Sequence, residues 1–384
     1  MFLISLSLNE YYSDRISLPA TAGLEEDYFC LFAEHICMRI YVIVMVVYVT
    51  EASQPSWRAL FVGLFFTPFM LAIFFGRCFL PAPGRLSAAI ITQIFSVAMS
   101  MLAPETPYWL ALKGETEAAE QMFIYLRAGL GDPSEFEAMV DTAAVDAEER
   151  GFFSVVSPAF CVPLVKVFFM YVATDGVCQV MFTGHQGPVE YLRFNASYEH
   201  TKWHFPEVSV YVHYIIPLVA CLFYLPTCLY VSRRILYLTT ILASYLIFLA
   251  VLIAYVHYNS SKTMNLAVLK FCYFISHVGG RPVLLLLPAE IFPGTVKEFG
   301  IAACEFIQLI FQATDYMNLD LVDKAVPYNF IRLYFVPVGL FLSYLFMPET
   351  KDLTLVESQE LGMRFGLPTF SFFPENATEA DDYE

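Results

Sequence analysis

Long apolar runs separated by short polar breaks set the pattern of this chain. Four of them, Ala59–Gly76, Leu86–Ala103, Val208–Tyr230 and Ile235–Tyr258, contain no charged residue. A helix needs about 20 apolar residues to cross the hydrocarbon core of a bilayer. Five more runs reach spanning length while carrying charges. Phe29–Thr50 holds Glu34 and Arg39, Phe160–Phe182 holds Lys166 and Asp175, and Met264–Pro288 holds Lys270 and Arg281. Phe299–Met317 holds Glu305 and Asp315, and Pro327–Met347 holds Arg332. Only helices and closed barrels satisfy every backbone group in lipid, and the alternating short segments of a barrel are absent. The pattern predicts an all-α membrane protein, a helical bundle of about nine transmembrane helices.

Between the third and fourth runs the period changes to that of short amphipathic helices. Thr106-Pro107 has the chemistry of an N-cap followed by proline at the first helical position, and Gly114 marks a stop. Glu115–Arg127 follows with Ala118, Met122 and Leu126 on one face, closed by Gly129. Asp132-Pro133-Ser134-Glu135 has the spacing of a capping box and opens a helix with Phe136, Met139, Val140 and Ala143 on one face. Helices lying beside the membrane body are expected here.

Composition supports the membrane reading: 58% of residues are apolar and 15% charged, against about 45–50% and 25% in soluble domains. The net charge of −16 is concentrated in two polar segments. Pro104–Gly151 has eleven acids and three bases, and Glu349–Glu384 has nine acids and two bases. The acidity is therefore read as two solvated segments rather than a face for a basic partner, and nucleic acid is excluded as a partner. Nine cysteines and seven histidines form no metal-ligand spacing, and neither a serine-nucleophile turn nor a phosphate-cradling loop is present. No metal, no cofactor and no enzymatic activity are expected. The first residues, MFLISLSL, lack a basic start and do not read as a cleaved leader. Lys and Arg divide almost evenly between the two sides, so charge alone gives no orientation.

Four motifs carry a resemblance to the sugar porters of the major facilitator superfamily, most closely those of the insect facilitated trehalose transporter type. They are Tyr48-Val49-Thr50-Glu51 with Pro55 and Arg58; Pro104-Glu105-Thr106-Pro107-Tyr108-Trp109-Leu110; Ala289-Glu290-Ile291-Phe292-Pro293 with Lys297; and Pro348-Glu349-Thr350-Lys351 with Leu353 and Leu355. Their order and the runs between them match that family from about Phe29 to Glu360. The resemblance implies a major facilitator-type bundle divided into a polar lead (1–28), a partial N-terminal bundle of three spans (29–103) and a cytosolic helical loop (104–159). A C-terminal six-helix bundle (160–347) and an acidic cytosolic tail (348–384) complete it. It numbers the nine runs as the fourth to the twelfth spans, with the first three replaced by the polar lead, and suggests a truncated form. It also implies a charge network that closes the cytosolic gate, carried here by Glu51, Arg58, Glu105, Arg233, Arg234, Glu290, Lys297 and Glu349. Asn195 would lie outside as a glycosylation site. The implied function is alternating-access transport of a sugar-like solute by a multi-pass protein of the plasma membrane, with lipid and solute as partners and the protein partner open.

The sugar-site motifs of the family are changed. In the family's count the seventh span offers Val172-Ala173-Thr174-Asp175-Gly176 where the family has a glutamine pair and Ser-Gly, and Cys178 and Thr183 replace an asparagine and a tyrosine. The tenth span reads Gly279-Gly280-Arg281-Pro282, with Leu285 in place of tryptophan, and Phe306-Ile307 replaces Asn-Trp in the eleventh span. Asp175, Gly176, Gln179, Gly279, Arg281 and Pro282 are the candidates for substrate contact. Asp175 with Arg281 reads equally as a structural bridge between spans. Gly176, Gly184, Gly187-Pro188, Gly279-Gly280 and Pro282 suggest that both spans are interrupted helices. The alternative function is a truncated or degenerate, non-transporting relative: a fragment, sensor or scaffold.

Overall fold

The computed structural model describes residues 43–64, 103–129, 131–149, 156–182, 208–258, 262–319 and 322–364, together with positions 67, 71, 151 and 154. The described residues are helices and their connections. Helix α1 (Ile43–Ala52) and the start of α2 (residues 58–64) belong to the N-terminal part. Three helices follow in the polar segment: α3 (Pro107–Leu112), α4 (Thr116–Leu126) and α5 (Pro133–Glu149). The C-terminal part comprises α6 (Pro158–Phe182), α7 (Val208–Tyr230), α8 (Arg233–Tyr258), α9 (Lys262–Val278), α10 (Gly280–Ile291), α11 (Lys297–Leu319) and α12 (Val322–Phe346). A short helix, α13 (Leu355–Met363), lies beyond them. The third apolar run, apart from Ala103, falls outside the described residues, as do most of the first and much of the second.

Helices α6 and α12 are 25 residues long and α8 is 26, close to 40 Å at about 1.5 Å per residue and enough for a bilayer core. By length and composition alone, two described stretches are long and apolar enough to cross a membrane: Arg233–Ala250, and Lys270–Ile291, which runs from α9 into α10. Helix α12 packs along α6, α8 along α9, and α7 against α9. One core joins Ala59 and Val62 of α2 to Met170, Tyr171, Tyr224, Tyr237, Leu286 and Val336, so both parts of the chain share it. On the outer surfaces Leu222, Phe223, Leu246, Ile253 and Phe341 are half exposed or more, a distribution suited to lipid rather than water.

The apolar run Met264–Pro288 breaks at Gly279, which separates α9 from α10. A Cβ there would stand 2.7 Å from Thr240 Oγ1 and 2.8 Å from the Leu236 carbonyl, so the break lies flush on α8. Of the positions expected to interrupt the other span, Gly184, Gly187 and Pro188 lie outside the described residues, and Gly176 makes no break. Helix α6 runs through Pro163 and Gly176 without a break, and Gly176 is buried within it.

The polar segment folds as its caps require. Thr106 accepts from the Trp109 amide, and Gly114 and Gly129 take φ of +81° and +75° just after their helices. Tyr108, Leu110, Ala119 and Ala143 form a small separate core with Met122, Phe136, Met139 and Val140 packed on it. The reciprocal box at Asp132 is not formed. Asp132 accepts from the Ser134 amide at 3.0 Å, while Glu135 turns to Arg127 at 2.9 Å. The tail departs further from a solvated segment: Thr354 and Glu357 form a capping box that starts α13, and Thr350, Ser358 and Gln359 are buried.

Candidate functional site

The buried charges collect at one edge of the bundle, on the side that carries α3–α5. Arg58 opens α2, and its Nε donates to the Thr50 carbonyl at 3.1 Å. Its Nη1 donates to Glu290 Oε1 at 3.2 Å and to the Leu353 carbonyl at 3.5 Å. Glu290 lies in the last turn of α10, and its second oxygen accepts from Arg233 Nη1 and, at 2.8 Å, from Thr350 Oγ1. Arg233 also donates to the Thr350 carbonyl at 3.0 Å. Arg58, Arg233, Glu290 and Thr350 are each at most 2% exposed. Charges at that depth are tolerable only when paired and hydrogen-bonded. One carboxylate here serves two guanidiniums, and backbone carbonyls of Thr50, Leu353 and Thr350 take further donors, while the Arg233 Nε is buried without a hydrogen-bond partner among the described residues.

A second pair crosses between the same two parts of the chain. Lys297, at the start of α11, donates to Glu51 Oε1 at 3.1 Å, and Thr106 donates to Glu51 Oε2 at 2.7 Å. Thr106 thus caps α3 and fixes the carboxylate at once. The Lys297 ammonium lies 4.9 Å above the Tyr108 ring, a cation–π contact, and the Tyr108 hydroxyl donates to Asp146 of α5. Burial pushes the Asp146 carboxyl above the usual carboxylate range, against the opposing Tyr108 hydrogen bond and Lys297 charge. Burial, then the Asp146 charge, likewise raises the Tyr108 phenol. Burial lowers the Arg127 guanidinium, opposed by Glu135.

Glu349 acts on backbone. Its oxygens accept from the Arg233 and Arg234 amides, both at 3.1 Å, at the N-terminus of α8, where orphan donors and the helix dipole favour an anion. The Arg234 guanidinium itself reaches the Tyr344 carbonyl and lies over the Tyr344 ring. Glu105 stays at the surface with Lys113 at 3.0 Å and takes no part in the buried network, contrary to its expected place there. A cavity of about 30 Å³ bounded by Glu51, Arg58, Tyr108, Arg127 and Gln359 has room for water but not for a sugar.

Of the candidates for substrate contact, Gly176, Gly279 and Pro282 are buried and Arg281 is partly buried. The side chains of Asp175 and Gln179 lie outside what the structure describes, as does Asn195. Near them Thr174 and Tyr237 share a hydrogen bond of 3.0 Å. Several residues of the charged edge were not singled out from sequence: Tyr108, Asp146, Thr350, Gln359 and the partners of Lys166. Asp146 had a legible signal, an acid three residues beyond Ala143 on the apolar face of α5.

The profile of the sugar (and other) transporter family matches residues 36–361. Among solved structures, the proton:xylose symporter XylE of the major facilitator superfamily, bound to 6-bromo-6-deoxy-D-glucose, is similar at a TM-score of 0.66 and 16% identity. A double-tryptophan variant of XylE is similar at 0.69 and 17%. Each match covers 94% of this chain and 81% of the other. No curated protein matches the chain. With a profile spanning most of its length, this chain belongs to the sugar (and other) transporter family and is an integral, multi-pass membrane protein, and it shares the fold of a major facilitator carrier.

Proposed function

We propose that the protein moves a sugar-like solute across the plasma membrane by alternating access, with the α3–α5 side in the cytosol and closed in this conformation. The observation that carries this reading is the pair of ion contacts between the two parts of the chain, Arg58–Glu290 and Glu51–Lys297. Charges at a membrane edge that pair across a divide are suited to pairing in one state and parting in another. The gate comprises Glu51, Arg58, Arg233, Glu290 and Lys297, with Glu349 anchoring α8 through its amides.

Solute contacts fall to the spans around Gly176 and Gly279. There Asp175, Gln179, Arg281 and Pro282 offer polar groups and a rigid turn, whereas Leu285 and Phe306 stand where the resemblance implies a tryptophan and an asparagine. A polyol gripped by fewer amide and aromatic partners binds less tightly, so a weak-affinity carrier is expected. Resemblance to the trehalose-transporter type makes trehalose one test solute, and monosaccharides the others. Reconstituted protein should give saturable uptake of labelled xylose, glucose or trehalose into liposomes, reduced by Arg281→Ala. If correctly folded, inserted protein takes up none of them above empty liposomes, the transport reading fails.

A further inference from the structure

We infer that Lys166 is a positioning residue of the gate: it pins the end of α13, and α13 in turn holds the 350–353 segment against the gate arginines. The inference rests on the gating role proposed above. Lys166 lies on α6 and is 3% exposed. Among the described residues it pairs with no carboxylate. Its ammonium donates instead to three carbonyls, those of Leu361 at 2.9 Å, Gly362 at 2.8 Å and Arg364 at 2.7 Å. These close the last turn of α13, where helix carbonyls have no partner of their own and the dipole is negative. The three donors of an ammonium are thereby used.

An apolar side chain would fill this place in a span without the desolvation cost of a cation. What the cation adds is direction: it fixes one helix end at one point. The same end is fitted to α10, because a Cβ at Gly362 would lie 2.2 Å from the Ile291 carbonyl, next in sequence to Glu290. The other end of the segment meets the gate: the Leu353 carbonyl accepts from Arg58, the Thr350 carbonyl accepts from Arg233, and the Thr350 hydroxyl donates to Glu290. Residues 350–364 are therefore held at two places, by the gate arginines and by Lys166. Loss of the second hold loosens the first.

The test uses the full chain in proteoliposomes with Ser53→Cys as reporter, since Ser53 is buried beside the gate at 7% exposure. Labelling by a membrane-impermeant maleimide from the α3–α5 side is compared with the chain lacking the reporter. Lys166→Met should raise the labelling rate about tenfold, the scale of losing charge-assisted hydrogen bonds. Lys166→Arg should restore most of the protection. Gly362→Leu, which lifts α13 while leaving Lys166 in place, should reproduce the rise, and it decides the matter if Lys166→Met does not fold. Parental labelling rates in folded Gly362→Leu, or in both variants, overturn the inference. Labelling requires no solute. Faster labelling without sugar uptake sinks the transport reading alone, and normal uptake with unchanged labelling sinks this inference alone.

Discussion

Glu290 is the side chain on which the charged edge depends most. It is fully buried and contacts Arg58, Arg233 and Thr350. Removing one partner from a buried ion pair costs about 3–5 kcal/mol, because the remaining charge is left uncompensated. Glu290→Gln should therefore lower the unfolding midpoint in detergent markedly, whereas Glu105→Gln, at an exposed pair, should leave it nearly unchanged. Asp146 gives a prediction of the opposite sense. Its carboxyl is raised by burial, so between the ordinary aspartate range and the raised value the folded state binds more proton than the unfolded state. The resulting penalty is absent below the ordinary aspartate range, grows from there up to the raised value, and is constant above it. The wild-type midpoint should fall relative to Asp146→Asn as pH rises from about 4 to 7. A parallel pH dependence in the two proteins would remove the basis for it.

At the scale of helices, close approach and capping give separable effects. Gly279→Ala would press a methyl against the Leu236 carbonyl and Thr240. Overpacking of this kind costs about 1–3 kcal/mol, measurable as a lower unfolding midpoint. Thr354→Ala removes the cap of α13, worth about 1 kcal/mol, and should speed amide exchange across Leu355–Met363 with little change elsewhere. What could be read from the sequence follows the same division. The Thr106 cap and the stops at Gly114 and Gly129 were legible, because a cap is chemistry within a few residues. The Asp132 box was misread because Glu135 had a competing partner in Arg127, supplied by a neighbouring helix. The ordered part of the tail was invisible for a related reason. Helix α13 is held by Lys166 and Ile291, residues far from it in sequence. Gly176 suggested a break that packing within α6 does not make.

For the whole molecule, the apolar runs and four motifs sufficed to place the fold, since length against bilayer thickness is a constraint independent of detail. The same motifs hold Glu51, Arg58, Glu290 and Lys297, whose buried contacts meet at one edge with Arg233, and Glu349 on the α8 amides. Arg234 contributes only its amide there and Glu105 lies outside, because a motif specifies where a carboxylate sits in the chain and not which cation reaches it first. Outward-facing Leu222, Phe223, Leu246 and Phe341 predict that the purified protein stays monodisperse in detergent and aggregates when detergent is withdrawn, as size-exclusion chromatography would report.

The shared carboxylate carries a further meaning for how such a lock lets go. Were Arg58 and Arg233 each given a carboxylate of its own, the two contacts would part separately. With a lone acid between them, a small rotation of the Glu290 side chain disengages both guanidiniums together. They would then rely on neutral acceptors such as the Thr50, Leu353 and Thr350 carbonyls. The Lys297–Glu51 pair is untouched by that rotation, so the shared acid ties two arginines to one event without by itself freeing the whole edge.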